Sequence, residues 1–263
     1  MIGGLITTGG QLAVRTLIGQ ELGWTALGHF HAAWTISMTY LGLVLQAMAT
    51  DYYPRLSEKL GDQPALRRLV AEQTEVALLL AAAVLLLMMG AAPLVLHLLY
   101  SSEFRQAADL LRWQVLGDLL KVAAWPLGFV LLAAGRNRAY VANEALAMGV
   151  FVGATTLLLP VLGLKAAGLA FVCMYAAYLC AAAVAVRRTL GSAAMSHPML
   201  LLGTGGALLL VLASTLLGSV AALLTGTALS GASLLFALHR LQHALPAPLA
   251  AAAARLSALA IRR

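Results

Sequence analysis

Residues 110–134, which read LLRWQVLGDLLKVAAWPLGFVLLAA, decide the fold of this chain. The stretch is apolar and longer than the about 20 residues that an α-helix needs to cross a bilayer. It nevertheless carries Asp118 and Lys121 one helical turn apart, and Gln114 and Trp125 extend the same face. Because an ionisable group is costly when it faces lipid, we expect this face to line protein or a water-filled cavity.

The pair of Asp118 and Lys121 has two interpretations. In the simpler one, the two charges neutralise each other and join neighbouring helices. In the other, they belong to a functional lumen. Other spans carry polar stripes of the same kind, such as Thr35, Thr39, Gly42, Gln46 and Thr50 at steps of three or four residues. That recurrence favours the lumen.

The composition is that of an integral membrane protein. Hydrophobic residues make up 62% of the chain and charged residues only 10%, far from the balance of a soluble domain. The net charge of +7 lies in short loops between apolar runs, so it indicates topology and no nucleic-acid partner. Cys173 and Cys180 show no metal-ligand spacing, and we expect neither a metal nor a cofactor.

We predict an all-α polytopic membrane bundle with about eight transmembrane helices. A hydrophilic stretch at about 54–70, with Pro54 as its first residue, is typical of an interfacial amphipathic helix. The predicted units are a six-helix lobe at 1–188, a peripheral two-helix hairpin at 189–240 and a basic cytoplasmic tail at 241–263. The predicted spans are 2–19, 27–50, 76–99, 110–134, 139–162, 166–186, 199–217 and 220–238.

The distribution of basic residues predicts the orientation of these spans, because cytoplasmic loops are enriched in lysine and arginine. One side holds only Arg105, Arg112 and Lys165. The side shared with Met1 holds Arg55, Lys59, Arg67, Arg68, Arg136, Arg138, Arg187, Arg188, Arg240, Arg255, Arg262 and Arg263. We therefore predict that both termini are cytoplasmic.

Four stretches carry a resemblance to a known family: AMATDYYPRLSE at 47–58, EQTEVALLL at 72–80, YSSEF at 100–104, and residues 111–129. Over roughly residues 10–190 the chain resembles the O-antigen and polysaccharide flippases of the multidrug, oligosaccharidyl-lipid and polysaccharide exporter superfamily. The resemblance implies two six-helix lobes around a hydrated, often cationic lumen that alternates between inward and outward openings.

This chain looks like the second of those lobes with two extra carboxy-terminal helices. Met1 falls where the seventh helix of such a transporter should already be under way. The resemblance therefore leads us to expect a fragment whose partner is the missing N-terminal lobe. Half of such a clamp does not alternate by itself.

The implied function is the flipping of an undecaprenyl-diphosphate-linked oligosaccharide, such as an O-antigen unit, across the bacterial inner membrane, and no enzymatic reaction. The lipid bilayer and polysaccharide polymerase machinery are further expected partners. A diphosphate needs cations and a sugar needs hydrogen-bonding groups. The candidates are Arg15 and Lys121 for the diphosphate; Gln11, Thr39, Gln46 and Gln114 for the sugar; Asp118 and Glu144 for ion coupling or charge pairing; and Asp51 and Arg55 as a gate.

Several alternatives stay open. Residues such as Asp51 and Arg55 more often cap an interfacial helix than form a gate. The four tryptophans are scattered along the chain and do not predict a stacking platform for sugar. Rival functions are a drug or metabolite antiporter of the same superfamily, which favours acidic lumen groups, and a non-transporting scaffold subunit of polysaccharide assembly. A membrane glycosyltransferase would need a catalytic cluster in an aqueous loop, and the loops here are short.

Overall fold

A computed structural model describes residues 2–190 and 198–241. Within these residues the chain is helical throughout and contains no strand, so the predicted all-α membrane bundle is confirmed. Six helices are long and apolar enough to cross a membrane, and Thr204–Leu216 is a shorter apolar helix. The elements are α1 (Ile2–Glu58), α2 (Gln63–Gly90), α3 (Ala92–Leu99), a 3₁₀ helix (Ser102–Ala107), α4 (Ala108–Ala133), α5 (Asn137–Leu162), α6 (Lys165–Leu190), α7 (Pro198–Leu216) and α8 (Gly218–Leu241).

Helix α1 is two spans joined at a glycine. Its 57 residues would reach about 85 Å as a straight helix, far more than the about 30 Å hydrocarbon core of a bilayer. At Gly23 the backbone leaves the helical conformation, with φ 84° and ψ 176°. Residues with a side chain rarely adopt this φ, so glycine suits the position. We refer to residues 2–22 as α1a and to residues 24–58 as α1b.

The contacts of α1a show its direction. The Thr7 hydroxyl lies 3.1 Å from the Glu144 carboxylate, and one turn later Gly10 lies directly against Met148. The contacting residues therefore follow one another in the same order along α1a and along α5. Segment α1a therefore runs parallel to α5.

Segment α1b runs parallel to α4 by the same reasoning. Ser37 hydrogen-bonds Asp118, and further along Tyr52 donates a hydrogen bond to the carbonyl oxygen of Pro126. Helices α4 and α5 are joined by the tight turn at Gly135, and they run in opposite directions. Segments α1a and α1b consequently form an antiparallel hairpin, in agreement with the first two predicted spans.

The loops gather at two ends of the bundle. At the first, which we name the Gly23 end, His29 packs edge-on against Phe104 at 5.2 Å, and Lys165 forms a 2.7 Å ion pair with Asp109. At the opposite Gly135 end, Arg136 hydrogen-bonds the carbonyl oxygen of Ala185. This is the alternation of loops that the predicted spans require.

Helix α4 lies at the centre of the bundle and packs most extensively on α6. A side chain at Gly117 would collide with the Phe171 ring, and one at Gly168 would collide with Trp113 and the backbone of Leu110. Small residues thus let the two helices approach closely, as is common in membranes. The core formed here holds the face of α4 that carries Asp118 and Lys121.

Helix α8 packs on the outside of α2. Gly90 and Gly226 meet so closely that a side chain at either would strike the backbone of the other helix. Ser230 adds a 2.7 Å hydrogen bond to the carbonyl oxygen of Ala83. This arrangement fits a peripheral position for the last helix.

The separate interfacial helix predicted at about 54–70 is wrong. Pro54 lies inside α1, which continues to Glu58, and a turn separates it from α2. The true start is at Gln63, where the Asp62 side chain accepts a hydrogen bond from the backbone of Ala65 and Pro64 occupies the first turn. The sequence contains two proline-led starts, and only the second has the capping residue that satisfies the first backbone N–H groups.

The predicted third span, 76–99, is also divided. Helix α2 ends at Gly90 and α3 begins at Ala92, with Pro93 in its first turn. A proline there lacks the N–H group that a continuing helix would use. The predicted cytoplasmic tail at 241–263, apart from its first residue, and the linker at 191–197 lie outside the described residues.

Candidate functional site

A cavity of about 260 Å³ lies between α1a, α1b, α4, α5 and α6, in the half of the bundle next to the Gly135 end. It brings together parts of the chain that are far apart in sequence. Its polar lining residues are Thr7, Gln11, Lys121, Tyr140, Glu144, Tyr175 and Tyr178, and its apolar lining includes Trp34, Met38, Trp125, Phe129, Met148 and Met174.

Lys121 is the cation of this cavity. Its ammonium group lies 3.2 Å from the sulfur of Met38 and 5.8 Å from the centre of the Tyr175 ring. It does not form an ion pair with Asp118, although the two residues are one turn apart. The two charges still interact electrostatically and both residues contact α1b, so the geometry is compatible with the joining of two helices and with a place in a lumen. A cation held by a thioether and an aromatic face keeps its capacity to bind an anion.

Asp118 does not line the cavity, unlike Lys121, and it is fully buried. The Ser37 hydroxyl donates a 2.6 Å hydrogen bond to its Oδ2, whereas Oδ1 has no partner. One turn earlier, Gln114 is also fully buried, and both atoms of its amide lack a partner. The predicted polar stripe of α4 thus exists, but only Lys121 and Trp125 reach the cavity.

Glu144 supplies the negative charge of the cavity. Thr7 hydrogen-bonds its Oε2 at 3.1 Å. The hydroxyl groups of Tyr140 and Tyr178 also interact with this carboxylate. Three helices therefore hold Glu144 in place on the wall, and the cavity presents one cation and one carboxylate from α4 and α5.

Aromatic rings cover much of the remaining wall. Trp34 packs against Phe171, with ring centres 5.6 Å apart, and Trp125 packs against Phe129 at 4.8 Å. Both tryptophans line the cavity, together with Tyr175. The packing of α1b on α4 brings these two tryptophans to one cavity, but no ring contact joins them, so the expectation that the tryptophans form no stacking platform stays a prediction.

The other predicted site residues occupy different places. Gln11 lines the cavity, and Arg15 follows one turn later on α1a, half-buried. Arg15 is in none of the ion pairs among the described residues, and its Nε is buried without a hydrogen-bond partner. Thr39 and Gln46 are exposed on α1b and do not line the cavity.

Asp51 and Arg55 form a 2.8 Å ion pair within the last turns of α1, and both are exposed. Asp51 lies within the helix and Arg55 in its last turn, so neither residue caps a helix that starts at Pro54, and the preferred capping role is wrong. A gate would need a partner across the lumen, whereas this pair joins two residues of the same helix. In the described part of the chain, no group of three or more histidine, cysteine, aspartate or glutamate residues is arranged to hold a metal ion.

Sequence reasoning missed the tyrosines of the cavity. Tyr140 precedes Glu144 by one turn, and Phe171, Tyr175 and Tyr178 form a stripe at helical spacing along α6. Thr7 similarly precedes Gln11 by one turn. An aromatic stripe that ends in hydroxyl groups, on a span without charges, was the signal in the sequence.

The comparisons with known proteins agree with this geometry. Residues 1–109 match the model of a family described as polysaccharide biosynthesis protein. The chain is 26% identical over 167 residues to the lipid III flippases of Escherichia coli (strain K12) and Shigella flexneri. The resemblance to polysaccharide and lipid-linked saccharide flippases is confirmed. The match covers 64% of this chain and 40% of each of those proteins. No solved structure matches significantly.

The flippase resemblance and the apolar helices together describe a multi-pass membrane protein. The relatives are transporters by their names, which points away from an enzyme. The chain spans about 40% of the length of the curated relatives that it matches.

Proposed function

We propose that this flippase-like chain contributes one lobe to the translocation of a lipid-linked saccharide, such as an O-antigen unit on undecaprenyl diphosphate, across the bacterial inner membrane. The single observation that carries the proposal is the position of Lys121. It is a cation without an ion-pair partner among the described residues, and it lies inside a membrane bundle on the wall of a cavity with aromatic rings. Lys121 is partly buried, and an ionisable residue inside a membrane bundle is a candidate for a substrate path.

The chemistry of the cavity suits the two parts of such a substrate. The ammonium group of Lys121 provides a point charge for a phosphate, and Arg15 offers a guanidinium group one turn beyond Gln11. Gln11 and Thr7 provide hydrogen bonds, and the rings of Trp34 and Trp125 provide flat apolar surfaces for the faces of sugar rings. The volume of about 260 Å³ is slightly below the about 300–1,000 Å³ of a typical ligand site. A smaller volume is expected if the cavity is one wall of a lumen that a second lobe completes.

The two carboxylates have different proposed roles. Glu144 faces the same cavity as Lys121, so it is the candidate to pair with a lumen cation in the empty state or to exchange an ion during transport. Asp118 is buried outside the cavity and holds α1b to α4 through Ser37. Loss of Glu144 should therefore affect transport before stability, and loss of Asp118 should affect stability first.

Alternating access requires a second lobe, and α1b offers a surface for it. Thr39 and Gln46 are exposed on a helix that otherwise packs on α4. Polar groups on an exposed transmembrane face are favourable when they meet protein or water. We propose that a second, N-terminal lobe packs against this stripe, with the polymerase machinery as a further partner. The excess of lysine and arginine in the sequence supports a cytoplasmic position for the Gly135 end and for both termini.

The test is a rescue assay in bacterial cells that lack their own lipid-linked saccharide flippase. The chain is produced together with a flippase N-terminal lobe, and surface polysaccharide is measured. The variants are Lys121→Gln and Arg15→Gln, and the matched control is Arg67→Gln, an exposed arginine on α2. We expect the first two to abolish rescue while membrane insertion and protein level stay normal, and the control to rescue fully. Full rescue by Lys121→Gln would contradict the proposal.

The same assay separates the alternative functions. The Glu144 carboxylate beside aromatic rings is the feature that favours an antiporter for organic cations. Such an antiporter would lose drug efflux in Glu144→Gln and keep it in Lys121→Gln, with Glu58→Gln as the exposed control. A scaffold subunit would support polysaccharide assembly in Lys121→Gln and Glu144→Gln, because both residues line the cavity and neither change alters an outer surface of the bundle.

A further inference from the structure

A second basic site lies at the Gly23 end, away from the cavity of Lys121. A depression of about 470 Å³ is lined there by Pro93, Arg105, Asp109, Arg112 and Ser219. Arg112 precedes Lys121 by nine residues on α4, which is about 14 Å along a helix. The two sites therefore occupy different levels of the same central helix.

Arg112 is the unusual residue of this site. Its exposed fraction is only 4%, and a guanidinium group stays charged even when it is buried. One nitrogen, Nη1, donates a 2.9 Å hydrogen bond to Asp109, whereas Nε and Nη2 have no partner. A buried cation with unsatisfied donors is costly, so a further anion would stabilise it.

The carboxylate that pairs with Arg112 is shared with another cation. Asp109 accepts Arg112 through Oδ1 and Lys165 through Oδ2, the latter at 2.7 Å. Arg105 is the second arginine that lines the depression, and Lys165 lies next to the lining through its ion pair with Asp109. Even with Glu103, which lies on the same 3₁₀ helix, the basic groups outnumber the acidic ones. The site therefore keeps a positive charge that its own residues do not balance.

We propose that Arg105 and Arg112 form a binding site for a phosphate-bearing group at the Gly23 end of the bundle. Arginine forks match the geometry of phosphate oxygens. The site lies at the Gly23 end of the bundle, beside the 3₁₀ helix that joins α3 to α4, and Arg105 is exposed there. The phosphate comes from a lipid headgroup or from a free phosphate or diphosphate. The proposal does not depend on the function of the cavity, because it invokes none of the cavity residues.

Binding to the purified full chain tests this site. Inorganic pyrophosphate is titrated calorimetrically in detergent, and retention of phosphatidylglycerol is measured by native mass spectrometry after release from mixed phosphatidylglycerol and phosphatidylcholine nanodiscs. The variants are Arg112→Gln, Arg112→Lys and Arg105→Gln, with Arg67→Gln as the control. Arg105 is exposed, so its variant still reports on binding if Arg112→Gln fails to fold.

We expect at least one of the two probes to bind, and Arg112→Gln and Arg105→Gln to weaken that binding at least tenfold. Arg112→Lys should lie between Arg112→Gln and the wild type, and Arg67→Gln should match the wild type. Binding of phosphatidylglycerol alone identifies a lipid headgroup as the source, and binding of pyrophosphate identifies a free phosphate. Absence of binding by both probes, or equal binding in Arg105→Gln and the wild type, would overturn the proposal.

Discussion

Asp118 and Lys121 lie one turn apart on α4, yet each has a partner on α1b. Ser37 donates its hydroxyl hydrogen to Asp118 at 2.6 Å, and the ammonium group of Lys121 lies 3.2 Å from the sulfur of Met38. The two charges are thus separated into a buried structural contact and a group on the cavity wall. Because of this separation, we expect substitutions that affect Asp118 to change stability and substitutions of Lys121 to change transport.

Removal of the Ser37 hydroxyl should destabilise the bundle. In Ser37→Ala both oxygens of the buried Asp118 carboxylate would lack a hydrogen bond, which costs about 1–3 kcal/mol. Thermal unfolding of the purified protein in detergent measures the effect. Thr16→Ala is the matched control, because the Thr16 hydroxyl is exposed and bonds only within its own helix. A melting temperature of Ser37→Ala equal to that of the control would contradict this role.

A single methyl group at Gly168 should also be destabilising. Its Cβ would lie 2.7 Å from the Cβ of Trp113 and 2.9 Å from the carbonyl oxygen of Leu110, so α4 and α6 would have to separate. Overpacking of this kind costs about 1–3 kcal/mol. Gly153→Ala is the control, since nothing lies within 4 Å of a Cβ at that position. We expect a lower melting temperature for Gly168→Ala only; equal values would argue against the close approach of these helices.

Trp125 should contribute to saccharide recognition through its ring. Trp125→Ala removes an aromatic surface of the cavity, and we expect at least a tenfold loss of polysaccharide export in the rescue assay, whereas Trp125→Phe retains part of it. Trp24→Ala is the control, because Trp24 is 84% exposed at the Gly23 end. Export by Trp125→Ala at the level of the control would show that the ring has no part in transport.

A labelling experiment tests whether the Gly23 end and the Gly135 end of the bundle lie on opposite faces of the membrane. In a chain from which Cys173 and Cys180 have been removed, single cysteines are introduced at Ser102 and at Asn137. An impermeant maleimide is added to intact inner-membrane vesicles of known sidedness. Position 137 should react only in vesicles whose cytoplasmic face is outside, and position 102 only in vesicles of the opposite orientation. Labelling of both from one face would contradict the arrangement, and the reverse sidedness would contradict the orientation.

The sequence was sufficient for the α-helical membrane architecture because lipid imposes a simple length and hydropathy requirement on spans, although the predicted span at 76–99 is divided after Gly90. It was insufficient at Pro54, where a proline that often begins a helix lies inside α1 instead. Proline removes one backbone hydrogen bond and fixes φ, but it does not exclude a helix in which the neighbouring residues pack well. Asp62, two residues before Pro64, is the N-cap that marks the true start of α2, and its residue type is a helix-start signal that the sequence also contains.

Site residues could be predicted from the sequence where a single helix shows the signal, and could not be predicted where the site depends on contacts between several helices. Lys121 and Glu144 stand out in a sequence because charges are rare in apolar spans. The shared position of Trp34 and Trp125 on the cavity wall depends on the packing of α1b against α4, and the anchoring of Glu144 depends on Thr7 from α1a. Such contacts follow from helix directions, which the hydropathy of separate spans does not contain.

The most direct test of the account is the binding of an undecaprenyl-diphosphate-linked saccharide to the purified chain, followed by native mass spectrometry or by intrinsic tryptophan fluorescence. We predict that Lys121→Gln weakens this binding at least tenfold and that Arg67→Gln leaves it unchanged. Equal affinity of wild type and Lys121→Gln for the lipid-linked saccharide, or no binding at all, would contradict the claim that this cavity holds the substrate.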